Sequence, residues 1–217
     1  MATSQRHSPI ALMGRPARTE FRNGWDVVLQ YDGEGKGLYL IDLSHRPKWD
    51  VQDANLAGIQ PLGVAIPETP GCCVIKRGIL ISRMNRTQAA VWQLLEPTAN
   101  MPQERPYTDM TEAVCLFALV GKEVLPIMEK VTSLDLAASE RAAPFYLQGP
   151  AVHVPCQIAV LEKRSDLQVI LLGCSRGYGQ SMAEALLDLG SARGLRPGGE
   201  DAFTNLLNAG DRRQETE

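Results

Sequence analysis

The sequence predicts an α+β fold, with antiparallel strands and a few helices packed to one side. Three observations predict it. Short apolar runs, alternating or continuous, recur between Gly, Pro, Asn and Asp punctuation. Few segments carry helical spacing. Their order, β-α-β and later β-β-α, belongs to this class rather than to a purely parallel sheet.

Residues 1–24 read as an N-terminal arm. They hold Arg6, Arg15 and Arg18 with no acid before Glu20. Pro9 and Pro16 interrupt any amphipathic targeting helix, so the arm is expected to lie on a partner or on the domain's own surface. The apolar run "PIALMG" is too short for a secretory signal core.

Residues 25–96 form a first α+β half. "WDVVLQY" and "LYLIDL" alternate as strands, and "DGEGKG" between them is expected to be a hairpin turn. Gly33, Gly35 and Gly37 imitate a dinucleotide fingerprint, but a strand follows them instead of the helix whose N-terminus holds a pyrophosphate. "DANLAG" suggests a short helix before a Pro-rich surface passage, and "CCVIKRGILISRM" a strand pair around Arg77-Gly78. Asn85 is placed to cap a helix, "RTQAAVWQLLE", with Ala89, Val91, Trp92 and Leu95 on its apolar face.

The polar, proline-punctuated residues 97–106 are the predicted linker, and 107–208 the second half. "AVCLFALVG" reads as a strand covered on both faces. The helix after Gly121 tolerates Pro126 only in its first turn. "FYLQ", "CQIAVLEK" and "LQVILLGC" are further strands. Ser181 and Glu184 match a capping box, Gly190 a helix C-terminus, and "EDAFTNLLN" a short last helix before a solvated tail, 209–217.

Composition narrows the function. With 217 residues the chain can bury one large core or two small ones. A net charge of −3 supplies no electrostatic reason for a nucleic-acid or anionic-membrane partner, and no apolar run approaches the roughly 20 residues of a membrane span. The five cysteines lack a CxxC, and Cys115, Cys156 and Cys174 lie in apolar strands, which fits buried thiols in a reducing, cytoplasmic compartment. With three histidines and no ligand spacing, no metal site is predicted.

Three stretches carry candidate chemistry. Asp42-Leu-Ser44-His45 and Asp109-Met-Thr111-Glu112 echo each other, an acid two residues before a hydroxyl beside an apolar strand. Such an acid either accepts backbone N–H groups in its own turn or faces a basic substrate nitrogen. Ser44 and His45 are adjacent and point apart, with no G-x-S-x-G, which argues against a hydrolase. In "GCSRGYGQS" a strand ends in a Gly-rich turn that opens a helix, so Arg176 and Tyr178 are candidates for an anionic or flat ligand.

"GLYLIDLSHRPKWDVQ", "YTDMTEAVCLFALVGKEVLPIMEKVTSLDL" and "SRGYGQSMAEALLDLGSARGLRPGGEDAF" together resemble the glycine-cleavage T-protein (aminomethyltransferase) family, over roughly residues 25–205. In length and block order the chain is more similar to the gamma subunit of heterotetrameric sarcosine oxidase. The resemblance implies two small antiparallel-sheet and helix halves of a folate-binding fold. The family's catalytic Asp segment has no counterpart here, since "GILISRMNRTQ" stands in a comparable place without a carboxylate. "GGEDAF" keeps Glu200 and Asp201 without the arginine that accompanies the family's folate-holding acid.

These departures, with the resemblance, imply an accessory subunit of an amine-demethylating oxidoreductase complex, not catalytic by itself. Flavin and NAD would sit on larger partner subunits, and the released one-carbon unit would pass to tetrahydrofolate. The alternative is a free-standing folate-binding protein or tetrahydrofolate-dependent aminomethyltransferase. In it Asp42 or Asp109 would act on the amine, and Arg176, Tyr178 and Gln180 would line the folate site.

Overall fold

The structure is a computed structural model and describes residues 5–214. Its strands are β1 (Pro16–Arg22), β2 (Trp25–Tyr31), β3 (Leu38–Asp42), β4 (Lys48–Gln52), β5 (Cys73–Lys76), β6 (Ile79–Arg83) and β7 (Gln88–Gln93). Then come β8 (Tyr107–Asp109), β9 (Val114–Gly121), α1 (Val124–Val131), β10 (Phe145–Ala151), β11 (Val154–Lys163) and β12 (Gln168–Ser175). The chain closes with α2 (Gly179–Ser191), β13 (Leu195–Gly198) and α3 (Glu200–Gln214). The fold is α+β.

β1 and β2 form a ribbon. A six-stranded sheet runs β10-β11-β12-β9-β3-β13, and a five-stranded sheet runs β5-β6-β7-β4-β8. All these pairs are antiparallel except β13 on β3. Both large sheets take strands from each side of residues 97–106, because β8 pairs with β4 and β9 pairs with β3.

β9 is the centre of the molecule. Its pleat sends Cys115, Phe117 and Leu119 into a core with α1 and α2, where Ile127, Met128, Met182 and Leu186 meet them. Leu116, Ala118 and Val120 face the opposite core with Trp92, Leu94, Tyr146 and Phe203. Two buried faces explain why this strand is apolar throughout, as its sequence predicts. The third core lies on the five-stranded sheet, where Trp49 and Tyr107 pack edge to face at 6.4 Å.

α1 carries Pro126 in its first turn, as expected, and the predicted strands β10, β11 and β12 are present. Arg77 and Gly78, with φ of 53° and 69°, make the two-residue turn joining β5 to β6.

Several expectations are corrected. "DGEGKG" is not a hairpin: β2 pairs with β1, and β3 pairs with β9 and β13. Glu34 within it accepts the Tyr31 N–H at 2.7 Å and the Gly199 N–H at 3.1 Å, tying the end of β2 to the start of α3. "RTQAAVWQLLE" is no helix but contains β7, buried on both faces between β6 and β4, and Asn85 accepts the Thr87 N–H in a turn instead. "DANLAG" and the residues after it make only two 3-10 turns, Leu56–Gly58 and Pro61–Gly63.

Ser181 lies inside α2 and donates back to Tyr178 O, so it caps nothing. Gly194, not Gly190, holds the positive φ beyond the helix end. The helices are not all on one side, since Phe203 of α3 sits on the face opposite α1 and α2. α3 continues to Gln214 through most of the predicted tail, and residues 215–217 lie outside the described residues. No helix among the described residues is long and apolar enough to cross a membrane.

Candidate functional site

The two echoing motifs fold the same way. At the end of β3 the Asp42 carboxylate accepts the Ser44 N–H at 2.8 Å, and after β8 Asp109 accepts the Thr111 N–H at 2.8 Å. Each hydroxyl then accepts a backbone N–H from the other motif's following strand, Ser44 from Leu116 at 3.2 Å and Thr111 from Lys48 at 3.1 Å. The backbone repeats the exchange, with Leu43 N–H donating to Leu116 O and Met110 N–H to Lys48 O, both at 2.8 Å. The result is a pseudo-twofold crossing that splices the two sheets together. Its acids are turn-forming groups first.

Lys48, 1% exposed, lies at this crossing and donates from Nζ to Ser44 O at 2.7 Å and Arg46 O at 2.8 Å. Burial pushes its ammonium pKa down to about 7, against the attraction of Asp42, Cys115 and Asp109.

His45 turns away from Ser44. Its Nε2 lies 2.6 Å from Glu200 Oε1, so no Ser–His couple forms. Glu200, the first residue of α3 and 3% exposed, also receives Arg22 at 2.9 Å and Arg46 at 2.5 Å. Burial alone would raise the Glu200 pKa, but the His45 hydrogen bond and the neighbouring positive charges override it and hold the group at about 2. Burial keeps the His45 pKa below its usual value. α3 can start here because Gly199 has no side chain: a Cβ would collide with Leu29 O of β2.

Arg176, Tyr178 and Gln180 follow β12 on the turn into α2, as the sequence suggests. Arg176 donates to His7 O and lies over the Trp25 ring at 5.9 Å. Gln180 accepts the Ala11 N–H at 2.8 Å and donates to Glu184 at 2.8 Å. Both therefore hold the N-terminal arm, which lies on the domain's own surface. Tyr178 alone stands out, 48% exposed.

The arm roofs a cavity of about 170 Å³ between β2 and the end of β3. Asp42 and His45 reach it, together with Tyr31 of β2 and Ser8 of the arm. Asp109 does not line it. Among the described residues, no group of His, Cys, Asp and Glu could hold a metal ion. Cys115, Cys174 and Cys156 stand in register across β9, β12 and β11, all buried.

The Asp-x-Ser and Asp-x-Thr turns at Asp42 and Asp109 were visible in the sequence, whereas Tyr31, Arg22 and Arg46 were not singled out. Tyr31 is one of several aromatics in alternating strands, with nothing local to mark it. Arg22 and Arg46 read as ordinary surface charge until α3 brings Glu200 between them.

No protein-family profile matches the chain, and no curated sequence is significantly similar to it. Solved structures are. A chain of the heterotetrameric sarcosine oxidase from Corynebacterium sp. U-96, in complex with pyrrole 2-carboxylate, superposes with TM-score 0.55 at 13% identity, covering 70% of this chain and 83% of that one. The glycine cleavage system aminomethyltransferase T from Bartonella henselae superposes with TM-score 0.58 at 14% identity, covering 87% of this chain but only 58% of that one. The chain thus has the T-protein-like fold found in both.

Proposed function

We propose that this chain is an accessory, gamma-type subunit of a cytoplasmic, sarcosine oxidase-like complex that demethylates an amine and passes the one-carbon unit to tetrahydrofolate. The extent of the structural match carries this reading: the chain accounts for 83% of a chain of the heterotetrameric oxidase but 58% of the aminomethyltransferase. The site geometry supports it as well. Asp42 and Asp109 serve the sheet crossing, and Arg176 and Gln180 hold the arm.

The test is co-expression with the flavin-bearing and NAD-bearing subunits of such an oxidase, followed by size-exclusion chromatography. Elution in a stoichiometric complex is expected. A chain that stays alone beside an assembled oxidase overturns the reading.

A second reading, a free-standing tetrahydrofolate-binding protein, is favoured by the exposed Tyr178 ring at the start of α2. It predicts heat on titrating the isolated chain with tetrahydrofolate, lost in Tyr178→Ala. A folded chain that gives no heat removes it.

A further inference from the structure

We infer that Cys115 and Cys174 are an oxidation site, at which a peroxide converts two buried thiols into a disulfide between β9 and β12. The inference goes beyond the accessory-subunit reading and does not depend on it.

Strand register makes the pair. Cys115 of β9 lies directly opposite Cys174 of β12, which in turn lies opposite Cys156 of β11. Directly opposed residues of an antiparallel pair have Cα atoms about 4.5–5.5 Å apart, inside the roughly 4.4–6.8 Å that a disulfide spans. All three side chains enter the core shared with α1 and α2. The sulfurs of Cys115 and Cys174 are 3.3 Å apart. A bond of about 2.05 Å therefore needs them to close by only a little over ~1 Å. Cys156 is the poorer partner, because its thiol donates to Val154 O at 3.2 Å. Filling the core asks only for small apolar side chains; thiols in contact add chemistry to it.

The reaction balances without a cofactor. One thiol loses its proton and its sulfur attacks a peroxide oxygen. The O–O bond breaks, and the departing oxygen takes that proton and leaves as water. The second sulfur attacks the resulting sulfenic acid, the S–O bond breaks, and its proton goes out with a second water. Two electrons pass from the sulfurs to the peroxide. Hydrogen peroxide is neutral and nearly as small as water, so local opening of the strands admits it to Cys115 and Cys174, 0% and 3% exposed.

The bond clamps a junction. Leu116, beside Cys115, is held by Ser44, and Arg176, two residues after Cys174, donates its N–H to Ala113 O at 2.9 Å. Joining residues 59 positions apart removes conformations from the unfolded chain.

The experiment treats the reduced, full-length chain with hydrogen peroxide, then unfolds it in N-ethylmaleimide and maps linked peptides by mass spectrometry without reduction. Exposed Cys72 is the internal control for the oxidant. A link between Cys115 and Cys174 is expected in most molecules, with Cys156 carrying maleimide. The thermal midpoint should rise by about 5 °C or more and fall back with dithiothreitol. Cys156→Ala should form the bond at an unchanged rate. The proposal is overturned if Cys115 and Cys174 stay reduced in the folded protein after Cys72 has reacted, or if Cys174 pairs with Cys156 instead. Pairing scattered over the five cysteines, as in a urea-unfolded control, overturns it too. An unchanged midpoint overturns the clamp.

Discussion

The Ser44 hydroxyl accepts the backbone N–H of Leu116, the residue from which β9 turns its side chain towards the second core. Thr111 does the same for Lys48, so each motif fastens the strand that follows the other. Neither N–H has a ladder partner at that point, and both hydroxyls are buried. Ser44→Ala and Thr111→Val should each lower stability by about 1–3 kcal/mol, the cost of a buried unpaired donor. Asp109→Asn keeps a side-chain oxygen for the Thr111 N–H and should cost far less. Urea unfolding of the three variants checks the ranking.

Glu200 binds α3 to the crossing through His45, Arg46 and Arg22. Glu200→Gln removes the carboxylate that Arg22 and Arg46 share, at a site where Glu200 and Arg46 are 3% and 2% exposed in their side chains. A loss of about 3–5 kcal/mol is expected, as for other broken buried pairs. Thermal unfolding measures it.

The same carboxylate sets an acid limit. Its folded pKa, about 2, lies below the unfolded value, so its stabilisation is complete above about 4.5 and disappears as pH falls towards 2. Wild type should lose stability through that window more steeply than Glu200→Gln, read from urea midpoints at successive pH values.

Lys48 acts at the other end of the scale. Its folded pKa of about 7 lies below the unfolded value, so between about 7 and 10.5 the unfolded chain binds more protons and stability rises with pH. The slope contributed is at most about 1.4 kcal/mol per pH unit. Lys48→Met should lack this contribution in the same urea series.

Gln180 accepts the Ala11 N–H, and Arg176 holds His7 O. In Gln180→Ala the Ala11 amide should exchange with solvent at least several-fold faster while core amides of β9 are unchanged. Equal exchange at Ala11 would show that other contacts hold the arm.

Local pattern was sufficient wherever burial is simple. β9 and β12 are apolar because both their faces are covered, and Pro126 marks the first turn of α1 since only there is its missing N–H harmless. The Asp-x-Ser and Asp-x-Thr turns were legible for a similar reason: each acid bonds an N–H two residues away, within its own motif. β7 was illegible because a strand buried on both faces loses its period of two, and Ala89, Val91 and Trp92 then fit a helix as well as a strand. Tertiary structure alone decided that "DGEGKG" passes between sheets, because strand partners are chosen by the cores they close. It alone brought Glu200 to His45, 155 positions away, and laid the arm over Tyr31 and Asp42. Sequence specifies what each segment can bury; which distant charges and acceptors share that burial is settled only when the sheets close.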